Sequence, residues 1–241
     1  MPETGPGESF ERNSSARESK LWQILRSILL VGIFLALLFV PAGRLDWWEG
    51  WAFVFAFITS VSVMVVWVNR RDPDLIKERR QPGENVKRWD RIIMGIYTIL
   101  LLMMLVLASL DSGRFEWTNP PGVLRFLGWA GLSAALVIVW WSMASNPFLS
   151  QVVRIQDDRG HKVATTGPYR YVRHPMYDGV ILSMLCIPLV LGSLWALIPA
   201  LLIVVLFIVR TALEDRALLE ELPGYEEYAQ QVRYRLVPLL W

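Results

Sequence analysis

Apolar residues in this chain are gathered into blocks long enough to cross a bilayer, and no other feature restricts the fold as tightly. A spanning helix needs about 20 predominantly apolar residues. Four blocks approach or exceed that length: Leu21–Val40, closed by Pro41, then Trp51–Val68, Ile92–Leu110 and Gly122–Ser145, which stops before Asn146-Pro147. A fifth, Tyr177–Val209, is too long for one span and short for two. Gly192-Ser193 lies near its middle and offers a turn. It reads as a tight hairpin of two short helices, Tyr177–Leu191 and Leu194–Val209. The expected fold is all-α, a polytopic membrane helix bundle of about six transmembrane helices.

Charge orients this bundle. Of 24 Lys and Arg residues, 21 fall in the N-terminal segment through Arg26, the connections 69–91 and 146–175, and the tail from Arg210. Arg44, Arg114 and Arg125 are the remainder. Basic residues concentrate in cytoplasmic loops, so both termini are expected in the cytoplasm. Trp47, Trp48, Trp51 and Trp117 then fall at the opposite boundary, where interfacial Trp is enriched. Residues 1–20, rich in Gly, Ser, Glu and Arg, read as a disordered cytoplasmic tail. The basic loop 69–91 reads either as a solvated segment facing lipid headgroups or as a wall or lid beside a site. The first apolar run has no small-residue cleavage site after it and is too long for a typical signal peptide, so it reads as a span.

Composition removes several functions. A net charge of +2 implies no nucleic-acid partner. One cysteine, Cys186, allows no internal disulfide, and one Cys with two His builds no metal site of Cys/His spacing.

Two charged clusters interrupt the apolar pattern. The first is Gly167-Pro168-Tyr169-Arg170-Tyr171-Val172-Arg173-His174-Pro175-Met176-Tyr177. Pro175 biases His174 toward an extended conformation and suits the first turn of a helix. An irregular backbone at membrane depth is tolerated where it lines a cavity. Interfacial anchoring by Tyr and Arg is the plainer reading. The second cluster continues the last span through Arg210, Glu214 and Asp215. Leu222-Pro223-Gly224 ends that helix, and Tyr225-Glu226-Glu227-Tyr228 opens a short amphipathic segment. Arg210 and Glu214, four residues apart, share a helix face, and an exposed ion pair there would contribute little. Both clusters on one membrane face could close over one ligand.

The ordered set Gly-Pro-Tyr-x-x-x-Arg-His-Pro-x-Tyr, apolar hairpin, Glu-Asp-x-x-Leu, Gly-Tyr-Glu-Glu-Tyr resembles the isoprenylcysteine carboxyl methyltransferase family and, in the same region, the phospholipid methyltransferases. The resemblance covers about residues 150–241. It implies S-adenosyl-L-methionine as cofactor, held at the cytoplasmic face. By position it puts the cofactor loop on His161, Lys162, Val163 and Ala164, and a cofactor tyrosine on Tyr169. Arg173, His174, Pro175, Met176 and Tyr177 would lie against the cofactor. The acidic pair becomes Glu214 and Asp215, Glu214 being the closer contact. Arg210 becomes the substrate-side arginine, so that Arg210 and Glu214 are the expected catalytic residues. Arg154 stands where the family has a cofactor-contacting Gln, with Gln151 and Gln156 nearby.

The implied division is a tail (1–20), four transmembrane helices (21–145) and a catalytic region (146–241). The implied protein is a multi-pass methyltransferase of a bacterial or archaeal inner membrane. Its acceptor would be a lipophilic small molecule or lipid carrying a carboxylate, thiol or amine. A membrane sterol reductase using a nicotinamide cofactor, NADPH, and a non-catalytic lipid-binding protein are the alternatives.

Overall fold

The computed structural model of the 241-residue chain describes residues 6–71, 86–150, 152–156, 160–238 and 241, with backbone alone for 6–21, 23 and 24. The described residues form helices α1 (Pro6–Ala42), α2 (Trp48–Arg71), α3 (Arg88–Ala108), α4 (Gly122–Ser145), α5 (Pro175–Leu191), α6 (Leu197–Glu221) and α7 (Tyr225–Gln231). They contain no strand. Five stretches are long and apolar enough to cross a membrane: Leu25–Ala42, Trp48–Arg71, Arg88–Phe115, Gly122–Ser145 and Leu197–Glu221. The sixth apolar helix, α5, has 17 residues, about 26 Å at 1.5 Å per residue. It falls short of a hydrocarbon core of roughly 30 Å.

Five of the expected spans are thus long enough to cross, most with shifted ends, while Gly122–Ser145 keeps its expected bounds and α5 is shorter. Helix α1 begins at Pro6, inside the segment expected as a tail, and passes through Pro41 to Ala42. Most of the 69–91 loop lies outside the described residues. Helix α3 runs on through a π-helical turn, Ser109–Phe115.

Close approach of α4 and α5 explains why glycine recurs there. A Cβ on Gly179 would stand 2.7 Å from Val139 Cγ2 and 3.0 Å from the Ala135 carbonyl oxygen, so any side chain would force the helices apart. Small residues at such contacts let backbones pack closely in lipid, where no hydrophobic effect drives helices together. Leu38, Trp47, Phe53, Met104, Leu191, Ile203 and Phe207 share the buried core of the bundle. Phe55, Ile99, Phe126, Val137 and Val205 point outward and stay exposed, as a lipid-facing surface requires.

The hairpin turn forms where the sequence places it. Gly192 is left-handed, with φ 76°. Its N–H donates to Leu189 O (3.2 Å), and the Ser193 N–H donates to Pro188 O (2.9 Å). This double closure is a Schellman motif. Asp111, fully buried in the π-helical turn, locks it. Its carboxylate accepts from the Thr118 N–H (2.7 Å), Thr118 Oγ1 (2.6 Å) and Ser193 Oγ (2.6 Å). One end of the bundle is thereby fixed. The start of α3, the end of α4, the start of α5 and the end of α6 meet at the other.

Candidate functional site

At that second end, α6 presents two successive acids. Neighbouring residues on a helix point about 100° apart, so one faces a cleft and the other faces away. Glu214 lines the cleft and accepts a hydrogen bond from Tyr177 OH at the start of α5. Asp215 has no exposed surface. It receives Arg173 Nε at 2.7 Å and Arg173 Nη2 at 2.8 Å, a two-pronged pair. Tyr225 OH donates to it at 2.9 Å and Arg235 Nε at 2.8 Å. His174 Nε2 lies 3.2 Å from its Oδ1 and 3.3 Å from Tyr225 OH. Asp215 thus holds the Arg-His-Pro loop from behind, and Glu214 is the acid that faces the cleft.

The loop itself is fixed by backbone. Pro175 opens α5, and His174 before it is non-helical, with φ −126° and ψ 56°. The N–H groups of Arg173 and His174, which no helix uses, donate to the carbonyls of Tyr234 and Arg235, each at 2.9 Å. The His174 ring lies parallel to Tyr177, at 3° and 5.8 Å between centroids. Arg173 Nη1 donates to Val232 O and Arg233 O, tying the segment after α7 to the same loop. Burial acts to lower the Arg173 pKa, but the hydrogen bond and charge of Asp215 outweigh it and raise it.

The opposite wall is made of described residues between Asn146 and Gln156 and of His161–Ala164. Its shape comes from Gln156, 1% exposed, whose Nε2 donates to Phe148 O (2.5 Å). The Gln156 N–H donates to His161 Nδ1 (3.4 Å), and the His161 N–H donates to Gln156 O (3.2 Å). The His161 ring packs on Phe148 at 4.9 Å. Tyr169 is buried; its OH accepts from Asn146 Nδ2 (3.3 Å), and its carbonyl accepts from Tyr228 OH (2.7 Å). Burial raises the pKa of Tyr169. Burial also raises those of Tyr225, helped by Asp215, and of Tyr228. All three therefore remain neutral hydroxyl donors near neutral pH.

Of the residues singled out from sequence, His161, Lys162, Val163, Ala164, Tyr169, Arg173, His174, Met176, Tyr177 and Glu214 border one cleft, together with Arg154 and Gln156. Pro175, Arg210 and Asp215 do not border it. Arg210, 4% exposed, lies one turn deeper along α6. Its guanidinium gives Nε to Asp90 Oδ1 (2.8 Å) and Nη2 to Asp90 Oδ2 (3.3 Å), and lies 5.1 Å from the Tyr177 ring centroid. Asp90, Asn146, Tyr225 and Tyr228 were not assigned from sequence. The Tyr225-x-x-Tyr228 spacing, which puts both rings on one face of α7, was the available signal for the last two.

Part of the chain is similar to known proteins. Residues 123–222, from α4 to just past α6, match the family model described as phospholipid methyltransferase. The chain is also similar to the cobalt-zinc-cadmium resistance protein CzcN of Cupriavidus metallidurans, 29% identical over 150 residues. That alignment covers 57% of this chain and 60% of the relative, so the chain spans about three fifths of that curated protein's length.

Proposed function

We propose that this protein transfers a methyl group from S-adenosyl-L-methionine to a lipophilic acceptor that reaches the cleft from the bilayer. The cleft between the 146–164 wall and the start of α5 carries this reading, because it joins opposite charges and aromatic faces in one place. Arg154 and Lys162 suit a carboxylate, Glu214 an ammonium or ribose hydroxyls, and Tyr169 and Tyr228 a flat base. When bound, the cofactor would supply an electrophilic methyl on a sulfonium. Arg210, one turn below Glu214 and against the Tyr177 ring, would orient the acceptor. Transfer to a good nucleophile depends on alignment more than on acid–base chemistry. Alignment of reactants supplies roughly 7–11 kcal/mol. The acceptor group would be a carboxylate, a thiol or an amine.

The deciding experiment is ligand-dependent stability of the purified chain in detergent. S-adenosylhomocysteine is expected to raise the thermal midpoint, since a ligand specific to the folded state stabilises it by mass action. A rise with NADPH and none with S-adenosylhomocysteine would replace the methyltransferase with a reductase.

In the same proposal both termini face the cytoplasm of a bacterial or archaeal cell, with the cleft at the cytoplasmic boundary. The distribution of 21 of 24 basic residues supports it. Cysteines placed at Ser14 and Gln230 are expected to react with impermeant reagents only from the cytoplasmic side. External labelling at Gln230 would put the cleft on the other face.

A further inference from the structure

Asp90, in the first turn of α3, is fully buried yet touches neither the cleft nor the lipid-facing surface. Its carboxylate has two kinds of partner. Both oxygens pair with Arg210 of α6. Oδ2 also accepts the backbone N–H of Val153, at 2.8 Å, from a loop 63 residues away. The Lys87 N–H, one turn earlier, donates to the carbonyl of the same Val153 at 3.1 Å. Val153 is thus held by both of its backbone polar groups, and it sits directly before Arg154 in the cleft wall. Without this carboxylate the buried Val153 N–H would lose its acceptor.

We infer that Asp90 is a positioning residue for the donor cleft: it fixes the Val153–Gln156 wall against α6 and orients Arg210 with the same carboxylate. The inference rests on the methyl-donor reading. It requires that ligand affinity respond to a side chain the ligand does not touch. Asp90→Asn keeps a carbonyl oxygen for the Val153 N–H and loses the ion pair, so it separates the two duties. Asp90→Ala removes both.

The test uses the full-length chain in detergent, below the unfolding range of every variant. Calorimetric titration with S-adenosylhomocysteine is expected to show a Kd at least about tenfold weaker for Asp90→Ala, with partial rescue in Asp90→Asn, as loss of a charge-assisted hydrogen bond implies. Amide exchange in the peptide Val152–Gln156 should rise strongly in Asp90→Ala and little in Asp90→Asn. A purely structural role would lower the midpoint and leave the Kd of the folded protein unchanged. A wild-type Kd in both variants, with wild-type exchange at Val152–Gln156, overturns the inference. If Asp90→Ala does not fold, Asp90→Asn decides it through the same two readouts. A wild-type chain that does not bind S-adenosylhomocysteine would sink the donor reading alone. The exchange data would then still show whether Asp90 holds the wall.

Discussion

Asp215→Ala is expected to destabilise the fold by about 3–5 kcal/mol, the usual cost of removing one partner from a buried ion pair. The reason is the company this carboxylate keeps. Two guanidinium groups, one tyrosine hydroxyl and a histidine ring converge on a group with no solvent exposure. Its loss leaves Arg173, whose side chain is 7% exposed, without a counter-charge. Arg173 would retain its bonds to the carbonyls of Val232 and Arg233. The measurement is chemical or thermal unfolding in detergent, followed by S-adenosylhomocysteine titration of whatever remains folded. Asp215→Asn should be nearly as damaging, because the amide turns an –NH₂ toward donors. An unchanged midpoint in both variants would show that the Arg-His-Pro loop is held by its backbone bonds alone.

Glu214→Gln is expected to leave the fold intact and weaken binding of S-adenosylhomocysteine by tenfold to about a hundredfold. This corresponds to roughly 1.5–3 kcal/mol for a charge-assisted hydrogen bond. The amide oxygen can still accept from Tyr177 OH, so the local packing survives. Adjacent acids on α6 should therefore separate cleanly, Asp215 reporting in stability and Glu214 in affinity. Arg210→Lys completes the comparison. It keeps a charge for Asp90 but loses the planar fork, which is not a conservative change at a two-pronged contact. Its effect should fall on turnover, with donor affinity near wild type. Wild-type affinity in Glu214→Gln would remove Glu214 from the donor site.

The membrane helices were legible because hydropathy is a local signal: Gly122–Ser145 was read to the residue, and the Gly192-Ser193 turn follows from chain chemistry alone. The ends of α1 and α3 were less legible. Pro41 has the look of a stop, yet it is carried inside the last turn of α1. Asp111 looked like the first loop residue after a span, and nothing local announces that it caps a turn more than 80 residues away. The cleft followed a similar division. The Arg-His-Pro loop and Glu214 stood out as polar groups beside apolar runs. Asp90 did not, because it sits among the charges of a basic connection. Its burial is created by Arg210, 120 residues later. Likewise, Glu214 and Asp215 are indistinguishable in one dimension, and only the rotation between successive helix positions gives them different neighbours.

The pairing of the Arg173 and His174 amides with Tyr234 and Arg235 also fixes when in a molecule's life the cleft can exist. Asp215 is synthesised 20 residues before the Arg235 that completes its surroundings, an interval of about 1–4 s at ordinary rates of synthesis. Through that interval Asp215 can meet Arg173 but not Arg235, and the Arg173 and His174 amides lack the carbonyls of Tyr234 and Arg235. A variant weakened at this loop is therefore expected to gain stability from S-adenosylhomocysteine only once the chain through Arg235 has been made.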